Sequence, residues 1–202
     1  MIELRNVKKI YKDRTVLDVP ALCIQDGGSV ALAGANGSGK TTLLRILARV
    51  LRADSGTITA PDDVLYLPQR PYAFRGSVLD NVLIGAKDRR EQALALIGNM
   101  ELSALADKQA QSLSGGEMQK MALCRLLIRP CALLLLDEPT AALDTEGTEL
   151  VCRALAQYKA RTDCTVVFST HTPQLTEKAA DRLIQLRDGR IETDHGVWPV
   201  KE

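Results

Sequence analysis

The chain has 202 residues, with 26 lysines and arginines against 25 aspartates and glutamates, 46% hydrophobic residues and five cysteines. At this length one globular domain buries roughly 70% of its extended-chain surface, so neither disulfides nor structural zinc are needed. A net charge of +1 gives no field that would grip nucleic acid or acidic lipid, no run reaches the ~20 apolar residues that span a bilayer, and MIELRNVKKIYKD carries charge where a signal peptide is apolar. A cytoplasmic location is expected, and nucleic acid is not an expected partner.

The first thirty residues alternate short apolar patches with charge (IELRNV, TVLDV, ALCIQDGGSVALAG), which predicts antiparallel strands, with Asp26-Gly27-Gly28 as a tight turn before a strand at Ser29–Ala33. From Lys40 to Val50, Leu43, Leu44, Leu47 and Val50 fall at helical spacing. Asp54-Ser55-Gly56 reads as the turn that closes this unit, and Val64–Leu67 as a short strand. Residues 75–122 are helical in character, with REQALALIGNM and ELSALADKQ as candidate helices. Ala132–Leu136 is a continuous apolar run closed by two acids, as in a parallel strand buried on both faces. A helix at 145–159 then leads to a second buried strand, Thr165–Phe168, and a third follows at Leu183–Leu186 before the Asp188-Gly189 turn. Strand, helix, strand is the α/β order, a crossover that is right-handed by default.

The five cysteines, Cys23, Cys124, Cys131, Cys152 and Cys164, show no CxxC spacing, and only two histidines could join them in a metal site. Reduced thiols are expected. Cys23 and Cys164 lie in apolar runs where a thiol packs as a small hydrophobe, with redox chemistry as the alternative.

Gly34 to Thr41 reads GANGSGKT, which satisfies GxxxxGK[ST] between a predicted strand and a predicted helix. Glycines let such a loop turn successive N–H groups inward onto oxyanions, and the helix adds its positive end. Lys40 supplies an ammonium for the β and γ phosphates, and Thr41 a hydroxyl for magnesium. Asp137 and Glu138 end the leucine-rich strand with carboxylates that point in different directions: Asp137 suits the magnesium shell and Glu138 the attacking water. Their mutual repulsion makes the site easier to assemble with metal bound. His171, after TVVFST, is placed to look across the sheet edge at the γ phosphate; an exposed loop histidine is the rival reading. His195, in DHGVWP, reads as surface.

With these residues in place, LSGGE at Leu113–Glu117, followed by MQKMALCRLL and LLLLDEPTAALD, resembles the ATP-binding subunit of ABC transporters, and the likeness runs from Ile2 to about Glu192. The resemblance implies a P-loop NTPase core of ABC ATPase type, with an N-terminal antiparallel β part (core residues 1–69 and 126–202) and a helical signature subdomain at 70–125. It implies ATP and Mg2+ as cofactors. A second copy is implied as partner, its Ser114, Gly115 and Gly116 covering the γ phosphate held by Gly34, Asn36, Gly37, Ser38, Gly39, Lys40, Thr41 and Thr42 of the first. As a bare motif LSGGE is also a helix start near Gly116, with Ser114 and Glu117 as a capping box. Tyr11, 23 residues before Gly34, resembles the aromatic that stacks on adenine, a core strand tyrosine being the alternative. Gln69 is similar to the glutamine that reaches magnesium and the attacking water, Asp144 to the aspartate that crosses the dimer interface, and His171 to the switch histidine.

The 28 residues between Lys40 and Gln69 are fewer than many members of that family have, which implies a trimmed hairpin or helix. Lys120 stands where arginine is more usual and Cys124 where alanine is. The short stretch after the last predicted strand implies no attached regulatory or membrane domain, so transmembrane permease subunits are expected as separate chains. They would hold the protein on the cytoplasmic face of the membrane, docked against Arg70 to Asn81. RPYAFRGSVLDNV resembles small-anion or metal-ion uptake systems such as those for tungstate or molybdate, and an importer is expected. The rivals are an export subunit and a soluble ATPase of DNA repair or translation; the latter lacks support here because no coiled coil and no second cassette are visible.

Overall fold

In the computed structural model, which describes residues 1–196, the alternation at the start of the chain folds as a long hairpin. Strand β1 (Ile2–Tyr11) pairs antiparallel with β2 (Arg14–Ile24) across the two-residue turn Lys12-Asp13, both at positive φ (44° and 67°). Such a turn has the twist that flanking strands need. The segment read as a closing turn is instead a strand: Ser55–Thr59 (β4) lies along the other edge of β1, giving the sheet order β2-β1-β4. All five of its residues are exposed, so it has no apolar alternation to read. Asp54 fastens it by accepting from Lys9 Nζ (2.8 Å) and the Ile10 N–H (2.6 Å), and these donors hold the Asp54 carboxyl below the usual carboxylate range.

The second sheet contains β3 (Ser29–Ala33), β5 (Val64–Leu67), β6 (Leu133–Asp137), β7 (Thr165–Ser169), β8 (Arg182–Arg187) and β9 (Arg190–Gly196). Their order is β5-β6-β7-β3-β8-β9, parallel except for β9. The leucine run of β6 shows why it is apolar throughout. Leu133 and Leu135 pack with β1, β2 and the first helix, whereas Leu134 and Leu136 pack on the other side with the later helices. His195 is exposed, as expected, but sits on β9 rather than in a tail; Val197 onward, the rest of DHGVWP, lies outside the described residues.

Helix α1 (Lys40–Leu47) buries Leu43, Leu44, Ile46 and Leu47. It stops three residues before Val50, which is 67% exposed and not part of the stripe, because Arg49 takes a left-handed φ of 59°. Helices α2 (Val78–Val82), α3 (Arg90–Asn99) and α4 (Gly115–Leu127) follow, sharing one hydrophobic cluster with the sheet face that carries Leu134 and Leu136. The helix expected in ELSALADKQ is absent: only Ser103–Leu105 makes a single 3-10 turn. The carbonyls of Ala106 and Lys108 are committed elsewhere, accepting the free N–H groups of Leu79 and Val78 at the start of α2. Helix α5 (Thr145–Ala160) joins β6 to β7 and buries Leu150, Ala154, Leu155 and Tyr158, and α6 (Pro173–Ala179) precedes β8. Four cysteines are buried; Cys23 is exposed on β2, contrary to its reading as a packed hydrophobe.

Candidate active site

The sheet order sets β6, β7 and β3 side by side, so that the chain leaves three neighbouring strands at Asp137, Ser169 and Ala33 along one edge. Ligands of open parallel sheets bind outside such an edge. The loop after β3 begins with Gly34 at φ 137°, where a Cβ would lie 2.1 Å from the Leu186 carbonyl oxygen, so only glycine fits against β8. Unlike α2, α4 and α5, which are capped by Ser77, Ser114 and Asp144, helix α1 begins after Gly39 with no side-chain cap and no acid in its first turn. Its free N–H groups therefore remain for an anion.

Lys40 is buried, and its Nζ donates to the carbonyls of Gly34 (2.7 Å) and Ala35 (3.1 Å). Burial draws its pKa down, while the carboxylates of Glu138 and Asp137 oppose that shift. Asp137, 0% exposed, accepts at Oδ1 from Thr41 Oγ1 (3.0 Å) and Ser169 Oγ (2.7 Å), and at Oδ2 from the Tyr66 hydroxyl (3.4 Å). Burial, and then Asp137, raises the Tyr66 pKa, so the phenol stays a donor.

Glu138 is at positive φ (51°), a conformation that costs a non-glycine residue energy and turns its carboxylate away from that of Asp137. Gln69 Nε2 donates to Glu138 Oε2 (2.9 Å), and His171 Nε2 lies 3.1 Å from Oε1. Ser169 holds both acids: besides donating to Asp137, its hydroxyl accepts from the Glu138 N–H at 2.9 Å. No motif marks it, since the contact needs β6 and β7 side by side. Ser169→Ala is expected to lower kcat for ATP by roughly tenfold with KM nearly unchanged, the loss of about one hydrogen bond in positioning; a change in KM alone would exclude that role.

A cavity of about 750 Å³ over this edge is lined by Asn36 to Thr42, Gln69, Glu138, His171, Asp188 and, from β2 and the hairpin, Arg14, Thr15 and Val16. The last three had no signal in the sequence beyond lying on a predicted strand. Tyr11, Ser114, Gly115, Gly116 and Asp144 do not line it. Tyr11 is 48% exposed at the end of β1 rather than in the core, with Lys9 Nζ 5.2 Å from its ring centre. Ser114 caps α4 at Gly115 in a full capping box: its hydroxyl accepts from the Glu117 N–H (3.4 Å), and the Glu117 carboxylate accepts from the Ser114 N–H (2.8 Å). The Ser114 hydroxyl and N–H hold the Glu117 carboxyl below its usual range. Close by, a Cβ on Gly116 would lie 3.0 Å from the Ala142 carbonyl, so α4 abuts the loop that leads to Asp144.

A family model described as ABC transporter matches residues 17–141, well over half of the chain. The chain belongs to the ABC transporter family. It is similar to the aliphatic sulfonates import ATP-binding protein SsuB 1 of Nocardia farcinica, with 36% identity over 97% of this chain and 82% of that protein. The tungstate uptake system ATP-binding protein TupC of Peptoclostridium acidaminophilum is 32% identical over 98% of this chain and 99% of its own length. Among solved structures, the dimeric post-hydrolysis state of the ATP-binding cassette MJ0796 bound to ADP and Pi superposes with a TM-score of 0.88 at 28% identity, over 98% of this chain and 99% of that one. As an ABC-type ATPase, the chain shares with that structure the α/β architecture expected from its motifs.

Proposed function

We propose that the chain hydrolyses ATP in a head-to-tail pair and thereby drives uptake of a small oxyanion through separate permease subunits. One observation carries the pairing: the cavity holds Lys40, Gln69, Glu138 and His171, whereas Ser114, Gly115, Gly116 and Asp144 lie away from it in the same chain. A second copy supplies them. The start of α4, a 13-residue helix, then brings its positive end to the γ phosphate.

In this reading the N–H groups from Gly34 to Thr42 cradle the phosphates, Lys40 bridges to the β and γ groups, and Tyr11 offers its ring to adenine. Thr41, Gln69 and Asp137 hold Mg2+, for which a buried carboxylate, a hydroxyl and an amide oxygen are a hard-donor set. Bound Mg2+ supplies Lewis-acid neutralisation of the phosphoryl oxygens. Glu138 orients the water, and His171 and Gln69, each on a different Glu138 oxygen, fix the orientation of its carboxylate. Residues 70–125 act as the helical unit that moves against the core formed by 1–69 and 126–202.

Permease docking is supported by an exposed aromatic pair a few residues after Gln69. Tyr72 (60% exposed) and Phe74 (43%) stack edge to face at 5.0 Å, and Arg125 covers both rings at 5.7 and 5.2 Å. No helix among the described residues is long and apolar enough to cross a membrane. In this reading the chain sits at the cytoplasmic face through its permease subunits. The relatives named for sulfonates and tungstate carry oxyanions, as do others named for phosphonates and for sulfate or thiosulfate.

The substrate proposal is tested by purifying the chain with its membrane partners in vesicles and screening tungstate, molybdate, sulfate, sulfonates and phosphonates, each with the cognate binding protein. One oxyanion should stimulate ATP turnover severalfold; no stimulation by any of them, with stimulation by a divalent metal cation or an apolar drug added to the same panel, would overturn it.

A further inference from the structure

At the opposite end of β6 and β7 from the ATP site, two thiols meet. Cys131 precedes β6 by two residues and Cys164 precedes β7 by one, and the strands pair Leu133 with Thr165 just beyond them. Their sulfurs lie 3.5 Å apart, in van der Waals contact. A disulfide needs about 2.05 Å, so closing it requires the sulfurs to approach by roughly 1.5 Å.

The surroundings suit reaction rather than packing alone. Cys131, 7% exposed, lines a cavity of about 460 Å³ bordered by Met1, Pro130 and Arg161, which offers a small reagent a route toward the pair. The Tyr158 hydroxyl stands between Cys131 Sγ (3.3 Å) and the Arg129 carbonyl (3.0 Å), and can turn its single proton to a thiolate. The Cys164 thiol donating to Cys131 lowers the Cys131 pKa against the effect of burial, while Cys131 and burial raise that of Cys164. One thiol is thus the nucleophile and the other keeps its proton until needed. By contrast, Cys124 donates to the Leu96 carbonyl at 3.5 Å.

We propose that Cys131 and Cys164 form a redox-active dithiol that a small hydroperoxide converts into an intramolecular disulfide. The Cys131 thiolate attacks the terminal oxygen of ROOH; the O–O bond breaks, and the departing alkoxide takes a proton to leave as ROH. Cys131 is then a sulfenic acid. The Cys164 sulfur gives up its proton and attacks the Cys131 sulfur, the S–O bond breaks, and water leaves. Two thiols lose two electrons in all, and the peroxide gains them.

The full chain is treated with hydrogen peroxide at a dose that just oxidises the exposed Cys23, then unfolded, alkylated and peptide-mapped. The expected product is a Cys131–Cys164 cross-linked peptide about 2 Da lighter than the sum of the two thiol peptides, restored by dithiothreitol. Cys164→Ser should stop the reaction at a Cys131 sulfenic acid that dimedone traps, and Cys131→Ser should leave Cys164 fully alkylated. Full alkylation of both cysteines in the parent at that dose would overturn the proposal, as would Cys131 cross-linked only to Cys23 of another copy.

Discussion

Glu138→Gln is expected to lower steady-state phosphate release by at least about a hundredfold while ATP still binds, the range lost when a positioned general base is removed. Glutamine keeps the length and planarity of the side chain. Its amide oxygen can still accept from Gln69 while its NH2 donates to His171 Nε2 when that nitrogen carries no proton, and the Glu138 N–H to Ser169 bond is untouched. What it loses is the capacity to take a proton from water. With hydrolysis blocked and the nucleotide retained, the variant should run as a dimer in size-exclusion chromatography with Mg-ATP and as a monomer without it. Turnover at the parent rate would remove Glu138 from the chemistry, and a monomer at saturating Mg-ATP would remove the head-to-tail pair.

Lys40→Ala should fail at an earlier step. A charge-assisted hydrogen bond is worth about 1.5–3 kcal/mol, so losing the ammonium should weaken ATP binding by roughly 10- to 150-fold, read by titration with a fluorescent nucleotide. The lysine also offsets two acids: the carboxylates of Glu138 and Asp137 both act on it, and without it less positive charge remains to balance theirs. Binding should therefore suffer more for the triphosphate than for the nucleoside alone. Lys40 Nζ donates to the carbonyls of Gly34 and Ala35, which border a cavity from which water can hydrate them once the ammonium is gone. The melting temperature without nucleotide should accordingly move little, and a large drop would reassign Lys40 to folding.

The parts of the fold that were legible in the sequence are those whose signal is local. The strand, glycine loop and helix around Gly34–Thr41 occupy contiguous residues, the β6 leucines report burial on both faces, and Ser114 and Glu117 form the capping box that their spacing implied. Short or exposed elements were not legible. Strand β4 is entirely exposed and exists because β1 offers it an edge and Asp54 pins it. Helix α2 has only five residues, too few to show a stripe. It stands on the Ser77–Asp80 capping box and on Asn81, whose side-chain amide donates to the carbonyls of Phe74 and Ser77. Of the site, Lys40, Thr41, Gln69, Asp137, Glu138 and His171 were named from motifs and converge on one edge. Ser169, Arg14 and Val16 were not named, because only strand order and the fold-back of β2 bring them there.

The narrow gap between Gly116 and the Ala142 carbonyl has a mechanical corollary. Ala142 follows Glu138 by four residues, so if a neighbour's ATP engages the start of α4 as proposed, the resulting displacement would be passed to the segment just downstream of this copy's own hydrolytic carboxylate. In a closed pair, each copy would then sense whether the opposite nucleotide is in place before committing its own water, and the two sites would fire in a correlated rather than an independent way.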